Sequence, residues 1–235
     1  MRRFLKLPFL TICTLGLAVQ ASAETVSVTD GTGNVWSDAA GWAIDFNTNT
    51  SSAVWAPALV EGSTYSVDSV TVFSGNNSND VSQDTDFYVG VYTNGPTDSA
   101  QGTAVSGFLG ASTNTVNFGT LAESAPATFN FSGINVVADA TPGGGSGVLY
   151  FVLQTGTTAV TDFVEANSVR LRRIDGNDGT FEDELSAILD GRDVADHIRV
   201  TRSPEYQASV TLVPEPGSLT LLAVGGLCIL RRRRG

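Results

Sequence analysis

The sequence predicts an all-β body, an antiparallel β-sandwich of jelly-roll type with one short helix, set between two apolar ends. Three observations carry this. The middle of the chain is rich in Val, Thr, Ser, Asn and Gly, a composition that suits pleated, half-buried strands and the turns between them. Roughly ten short apolar runs recur at intervals of about 8–12 residues, the rhythm of a sandwich, with a closed barrel as the alternative. No longer repeat is visible, which argues against a solenoid.

Taken in order, Thr25 to Thr29 alternates weakly. Val35-Trp36 and Trp42 to Phe46 read as two strands around a short turn. Ala53 to Val60 reads as a strand region interrupted by Pro57, which cannot donate to a ladder and belongs at an edge or bend. Tyr65 to Phe73 alternates, but its phase slips at Asp68-Ser69, which predicts a bulge. Phe87, Val89 and Val91 share one face of the next strand, and Tyr88, Gly90 and Tyr92 share the other. Phe108-Leu109, Val116 to Leu121 and Phe129 to Val137 follow as strands. Val148 to Leu153 is continuously apolar, as a central strand would be. Val169 and Leu171 point inward, with Arg170 and Arg172 outward. Phe181, Leu185, Ile188 and Leu189 have helical spacing, and Glu182, Asp183 and Glu184 complement the N-terminus of that helix. Ile198 and Val200, then Ala208, Val210 and Leu212, make the last strands.

The ends differ from the body. Met1 to Ala23 runs from Arg2, Arg3 and Lys6 through an apolar stretch to Ala21-Ser22-Ala23. That is the order of a secretory signal peptide, with cleavage expected after Ala23. The body is then 24–212, and the tail is 213–235. Cys13 leaves with the signal and Cys228 lies in the tail, so the body has no disulfide, thiol nucleophile or cysteine metal site. The body carries 23 acids against six arginines and no lysine, a formal charge of −17. Such a surface repels nucleic acid and anionic membranes.

The tail has three parts: Pro214-Glu215-Pro216, an apolar run from Leu219 to Leu230, and Arg231, Arg232, Arg233 and Arg234. Prolines without backbone donors separate any tail helix from the preceding chain. Gly217 to Leu230 is uncharged and, as a helix, about 21 Å long. A bilayer core is about 30 Å thick, so this is a short transmembrane helix, suited to a transient hold. Four arginines belong on the cytoplasmic side, leaving the body outside. This order resembles the PEP-CTERM sorting signal of exported bacterial proteins. The resemblance covers the tail alone. It implies recognition of Pro214, Glu215 and Pro216 by an exosortase, a membrane cysteine transpeptidase that cuts near the motif. In strand rhythm the body also resembles, loosely, the sandwich domains of other exported bacterial proteins with interchangeable anchors.

Candidate sites in the body are fewer. No G-x-S-x-G elbow accompanies His197, the only histidine, so no serine triad is expected. No catalytic residue is assigned. Hard cations want several oxygen ligands close together. Asn76, Asn79, Asp80, Asp84 and Asp86 supply them in one stretch, and Asp175 and Asp178 in another, so the metal these stretches would suit is calcium. Asn and Asp also serve ordinary turns. Trp36, Trp42, Tyr88 and Tyr92 are candidates for stacking on sugar rings. The arginines are expected to pair with neighbouring acids. The expected whole is an exported, non-enzymatic protein of the cell surface or extracellular matrix. It is anchored in the membrane at least transiently, and its structural or adhesive body contacts exopolysaccharide. A secreted carbohydrate-active enzyme of sandwich fold is the alternative.

Overall fold

A computed structural model of the chain describes residues 23–28, 36–46, 59–75, 84–95, 104–139, 147–162, 164, 167, 169–172 and 205–214. Its strands are β1 (Ala23–Val28), β2 (Trp36–Ala39), β3 (Gly41–Asp45), β4 (Thr64–Phe73), β5 (Asp86–Asn94) and β6 (Ser106–Ala111). They continue with β7 (Val116–Asn117), β8 (Pro126–Asn130), β9 (Asn135–Val137), β10 (Val148–Gln154), β11 (Val169–Arg172) and β12 (Tyr206–Leu212). A 3-10 turn spans Phe118–Thr120. The helix expected over Phe181 to Leu189 lies outside the described residues, as do Ile198 and Val200 and the helices expected in the signal and the tail.

Among the described residues every strand pairing is antiparallel. The first sheet has the order β1-β12-β4-β8, with β9 also on β4. The second has the order β3-β10-β5-β6, with β7 also on β5. A two-stranded ladder, β11-β2, joins the end of β4 through a bridge between Ser74 and Leu171. The pairings are nested: β1 with β12, β3 with β10, β4 with β8 and β9, β5 with β6. One long hairpin folded over itself gives this order, and the β12–β4 and β10–β5 ladders then close the two sheets. All of these strands belong to one unit, Ser22–Val213.

The two sheets share a core. Val67, Val70, Val72, Phe129, Ala208 and Val210 come from the first sheet, and Trp42, Ile44, Phe87, Val89, Val91, Phe151 and Leu153 from the second. Aromatic rings fill the space between them. Trp42 stacks on Phe151, with centroids 5.9 Å apart and planes 7° apart, and meets Phe129 of the other sheet at 6.4 Å. Phe131 meets Phe151 edge-on at 5.9 Å. Such rings bury large apolar areas, which makes them the main source of cohesion between sheets. This arrangement is consistent with the expected sandwich.

The slip at Asp68-Ser69 is a bulge. Opposite β4, Ser209 faces Ser69 while Val210 faces Val67, so Asp68 is the extra residue. The other neighbour of β4 breaks at the same place. The Phe131 N–H donates to the Asp68 carbonyl at 2.8 Å, and the Val67 N–H donates to the Ile134 carbonyl at 2.8 Å. Phe129 to Val137 is therefore two strands, β8 and β9, rather than the expected one. The turn between them uses Gly133 at φ 76°, and it plugs buried Phe131 and Ile134 into the core.

Two other expectations change. Val116 to Leu121 keeps strand form only at Val116–Asn117 and then coils into the 3-10 turn, which drives Phe118 into the core against Phe87 and Phe129. The described end of Ala53 to Val60 is a turn and not a strand. Leu59 is buried, Val60 is 62% exposed, and the Ser63 N–H closes on the Val60 carbonyl at 3.0 Å.

Around its central strand β10 the second sheet is buried on both faces. All seven residues of β10 are buried. Behind the main core lies a second cluster of Ala40, Ala43, Tyr92, Val105, Val148, Tyr150 and Val152, with Phe108 and Val160 packed against it. The segment after β10 folds back over it. The Val105 N–H donates to the Thr161 carbonyl at 2.8 Å, and Ala104 bridges Asp162.

Candidate functional site

The described structure stops at the point where the tail begins. Strand β12 lies inside the first sheet, between β1 and β4. Its entry is fixed by an ion pair, Arg172 Nε to Glu205 Oε2 at 2.7 Å, with the Glu205 side chain almost fully buried. The Glu205 N–H also donates to the Arg172 carbonyl at 3.0 Å. Pairing of this arginine with an acid is as the sequence led one to expect. At the exit, Leu212 faces Tyr65, and the Val213 N–H donates to the Thr64 carbonyl at 2.9 Å. Pro214 follows and is exposed. It has no N–H to continue the ladder. No spacer separates the last sheet hydrogen bond from the Pro-Glu-Pro motif.

The other end of the body meets the same place. Ala23 pairs with Thr211, and Glu24 pairs with Val210. The expected signal cleavage after Ala23 and the start of the tail therefore fall on adjacent strands, at one end of one sheet.

Residues 212–234 match a family model described as the PEP-CTERM protein-sorting motif. The tail carries a PEP-CTERM sorting motif. The match takes in the end of β12, Pro214, Glu215 and Pro216, the apolar run and the arginines. No curated protein and no solved structure matches the chain. A PEP-CTERM tail makes this an exported protein, directed to the cell surface and processed by an exosortase-type transpeptidase. Among the described residues no helix is long and apolar enough to cross a membrane. Leu219 to Leu230 and Arg231 to Arg234 lie outside those residues.

The aromatic candidates separate. Trp42 is 1% exposed and stacked on Phe151, so a sugar ring cannot reach it in this fold. Its position in the β3 register, directly opposite Phe151, turns it into the shared core. Tyr92 is likewise fully buried. Its hydroxyl donates to Gln154 Oε1 at 3.2 Å and accepts the Val160 N–H at 2.7 Å. Gln154 in turn donates from Nε2 to the Gly156 carbonyl at 2.7 Å. Tyr92 is thus a pin for the segment covering the second sheet. Burial raises its pKa above the ordinary 10.0, and the bond from Val160 partly lowers it again. Gly90 makes room for this pin. A Cβ there would stand 2.4 Å from Gln154 Oε1 and 2.9 Å from the Tyr92 ring. Tyr88 shares the strand face of Tyr92 but is only half-buried, opposite Gln154 at the end of the ladder. Trp36 lies on β2, opposite Arg172.

Of the cation candidates, Asn76, Asn79, Asp80, Asp175 and Asp178 lie outside the described residues. Asp84 and Asp86 are exposed, and Asp84 Oδ1 accepts the Asn117 side-chain amide at 3.2 Å. Among the described residues no three His, Cys, Asp or Glu side chains come together as a metal site. His197 is outside them as well.

A further surface emerges only from the register. The outward residues of the first sheet line up in rows across four strands. Thr25, Ser209, Ser69 and Asn130 form one row, and Ser27, Gln207, Thr71 and Thr128 the next. Thr211, Ser66 and Asn135 extend the grid beyond the bulge. All are exposed or half-buried. Adjacent strands place these groups about 4.8 Å apart. The Thr71 and Thr128 hydroxyls bond to each other at 2.8 Å. Asp68 is the carboxylate at this face, and it accepts the Thr211 hydroxyl at 2.6 Å. Half-buried Phe73, opposite Pro126, closes one end of the grid. The sequence signal was present, since each strand has Ser, Thr, Asn or Gln out of phase with its apolar residues. Their alignment needs the pairing.

Proposed function

We propose that this is a non-enzymatic protein of the cell surface or extracellular matrix. Its body, wound as a jelly roll, makes adhesive or structural contact with a polysaccharide. The observation that carries the proposal is the hydroxyl and amide grid on the first sheet. A body of formal charge −17 keeps this face nearly free of charge. Rows of hydroxyls and amides both donate and accept hydrogen bonds, which suits the hydroxyls of a neutral glycan. Phe73 adds an apolar ring beside them, the usual companion of polar groups in sugar contacts. An acidic polysaccharide would be repelled by the rest of the body.

Retention of the secreted protein on the host's own neutral exopolysaccharide tests this. Thr71→Ala with Gln207→Ala should reduce retention, while Tyr88→Ala, on the other sheet, should leave it unchanged. Equal retention of all three proteins would remove this face from the proposal. Release of new reducing ends from the glycan would replace adhesion with the carbohydrate-active enzyme. Membrane insertion of Leu219 to Leu230 before processing belongs to the same proposal. Calcium at the Gly75 to Asp86 stretch remains a separate part, checked by titration calorimetry against an EDTA-treated control.

A further inference from the structure

The junction between β12 and the motif has a consequence for processing. A transpeptidase cleft takes its substrate as extended, unpaired chain for some residues on each side of the bond it cuts. Here the residues just before the motif are already paired. Thr211 faces Ser66, Leu212 faces Tyr65, and the Val213 N–H is held by the Thr64 carbonyl. Downstream there is little slack. Only Pro214 to Ser218 separate Val213 from the apolar run that begins at Leu219, at most about 17 Å of extended chain.

Signal cleavage changes this end of the sheet. Once Ala23 ends the leader, the mature β1 starts at Glu24, opposite Val210. Thr211 then loses its partner on that side. Thr211, Leu212 and Val213 remain paired to β4 alone. Strand ends held on one side by a few hydrogen bonds open at far lower cost than the fold as a whole.

We infer that detachment of Thr211, Leu212 and Val213 from β4 gates processing of the tail, so that the fold of the body sets the rate at which the sorting motif is used. This rests on the tail being a processed PEP-CTERM motif. The step is noncovalent and precedes bond cleavage. It also fixes an order: loss of the leader loosens the strand end that the transpeptidase must then take.

Pulse-chase labelling of the full chain in its native host, followed by the mass of the mature protein, tests this. Inserting Gly-Ser-Gly-Ser between Val213 and Pro214 supplies free chain and should speed processing about tenfold, the equivalent of one or two net hydrogen bonds no longer broken. Ser66→Cys with Thr211→Cys places two thiols directly opposite each other in a body without cysteines of its own. Their disulfide should slow processing, and a reductant should restore it. The clamp combined with the insertion should process as fast as the insertion alone, which separates a held strand from a misfolded body. Processing at the same rate in all four chains overturns the gate and leaves the sorting motif intact. A wild-type chain that keeps Arg231 to Arg234 throughout overturns both.

Discussion

The two sheets treat their outer faces in opposite ways. The first leaves Ser, Thr, Asn and Gln in contact with solvent. The second hides Tyr92, Tyr150 and Val152 beneath the segment that follows β10. Strands β12 and β10 show the difference most plainly. Tyr-Gln-Ala-Ser-Val-Thr-Leu alternates between buried and more exposed, while Val-Leu-Tyr-Phe-Val-Leu-Gln is buried throughout. Both lie inside their sheets and pair on both edges. Central position therefore does not decide whether a strand has one buried face or two; what covers the sheet does. A molecule with one covered face and one bare polar face has a natural division of labour, with cohesion in one layer and contact in the other.

The strongest test of that division is the shared core. Trp42→Ala should cost about 3–5 kcal/mol, because a large ring leaves a cavity that its neighbours fill only partly. Chemical denaturation of the body would measure it. Next is the clamp at the entry to β12. Arg172→Ala removes the ion pair to the buried Glu205 carboxylate and should cost about 3 kcal/mol. A Glu205→Gln partner variant would show whether the loss comes from the buried charge.

Tyr92→Phe should be smaller, about 1–3 kcal/mol, since it orphans the Val160 N–H and takes the hydroxyl donor from Gln154 Oε1 without opening a cavity. It carries a pH signature. The folded phenol has a raised pKa, so the folded state holds its proton to higher pH than the unfolded chain. Its contribution is complete below pH 10 and declines as pH rises from 10.0 toward the folded value. Denaturation curves of the Phe variant should lack that share of the alkaline slope. The smallest effect is expected on the bare face. Thr71→Ala should change stability by no more than about 0.5 kcal/mol. A loss as large as that of Tyr92→Phe would mean that the first sheet is also covered, and would break the comparison.

Much of this was legible beforehand, for specific reasons. The bulge at Asp68 showed itself as a phase slip, because a period-two pattern has no other way to absorb an extra residue. β10 was legible as a central strand from its unbroken apolar run. Other features were hidden by the same rules. Tyr88, Gly90 and Tyr92 looked like an outward face because they oppose Val89 and Val91. Only the returning segment near Val160 makes that face interior. Trp42 reads equally well as a sugar platform or a core ring until its register places it opposite Phe151. The turn at Gly133 was masked by apolar Phe131 and Ile134, whose side chains are buried by a chain that has left the strand.

By itself the sequence determined the destination of this protein, because a sorting motif is read as linear chain: Pro-Glu-Pro, an apolar run and arginines, matched over residues 212–234. It also determined the β character of the body, since alternation and turn chemistry are local. The tertiary structure alone decided which polar residues stand in rows, which aromatics are inside, and that β12 runs into the motif without a spacer. Each of these depends on partners far apart in the chain, and strand pairing over such distances is set by the packing of the whole.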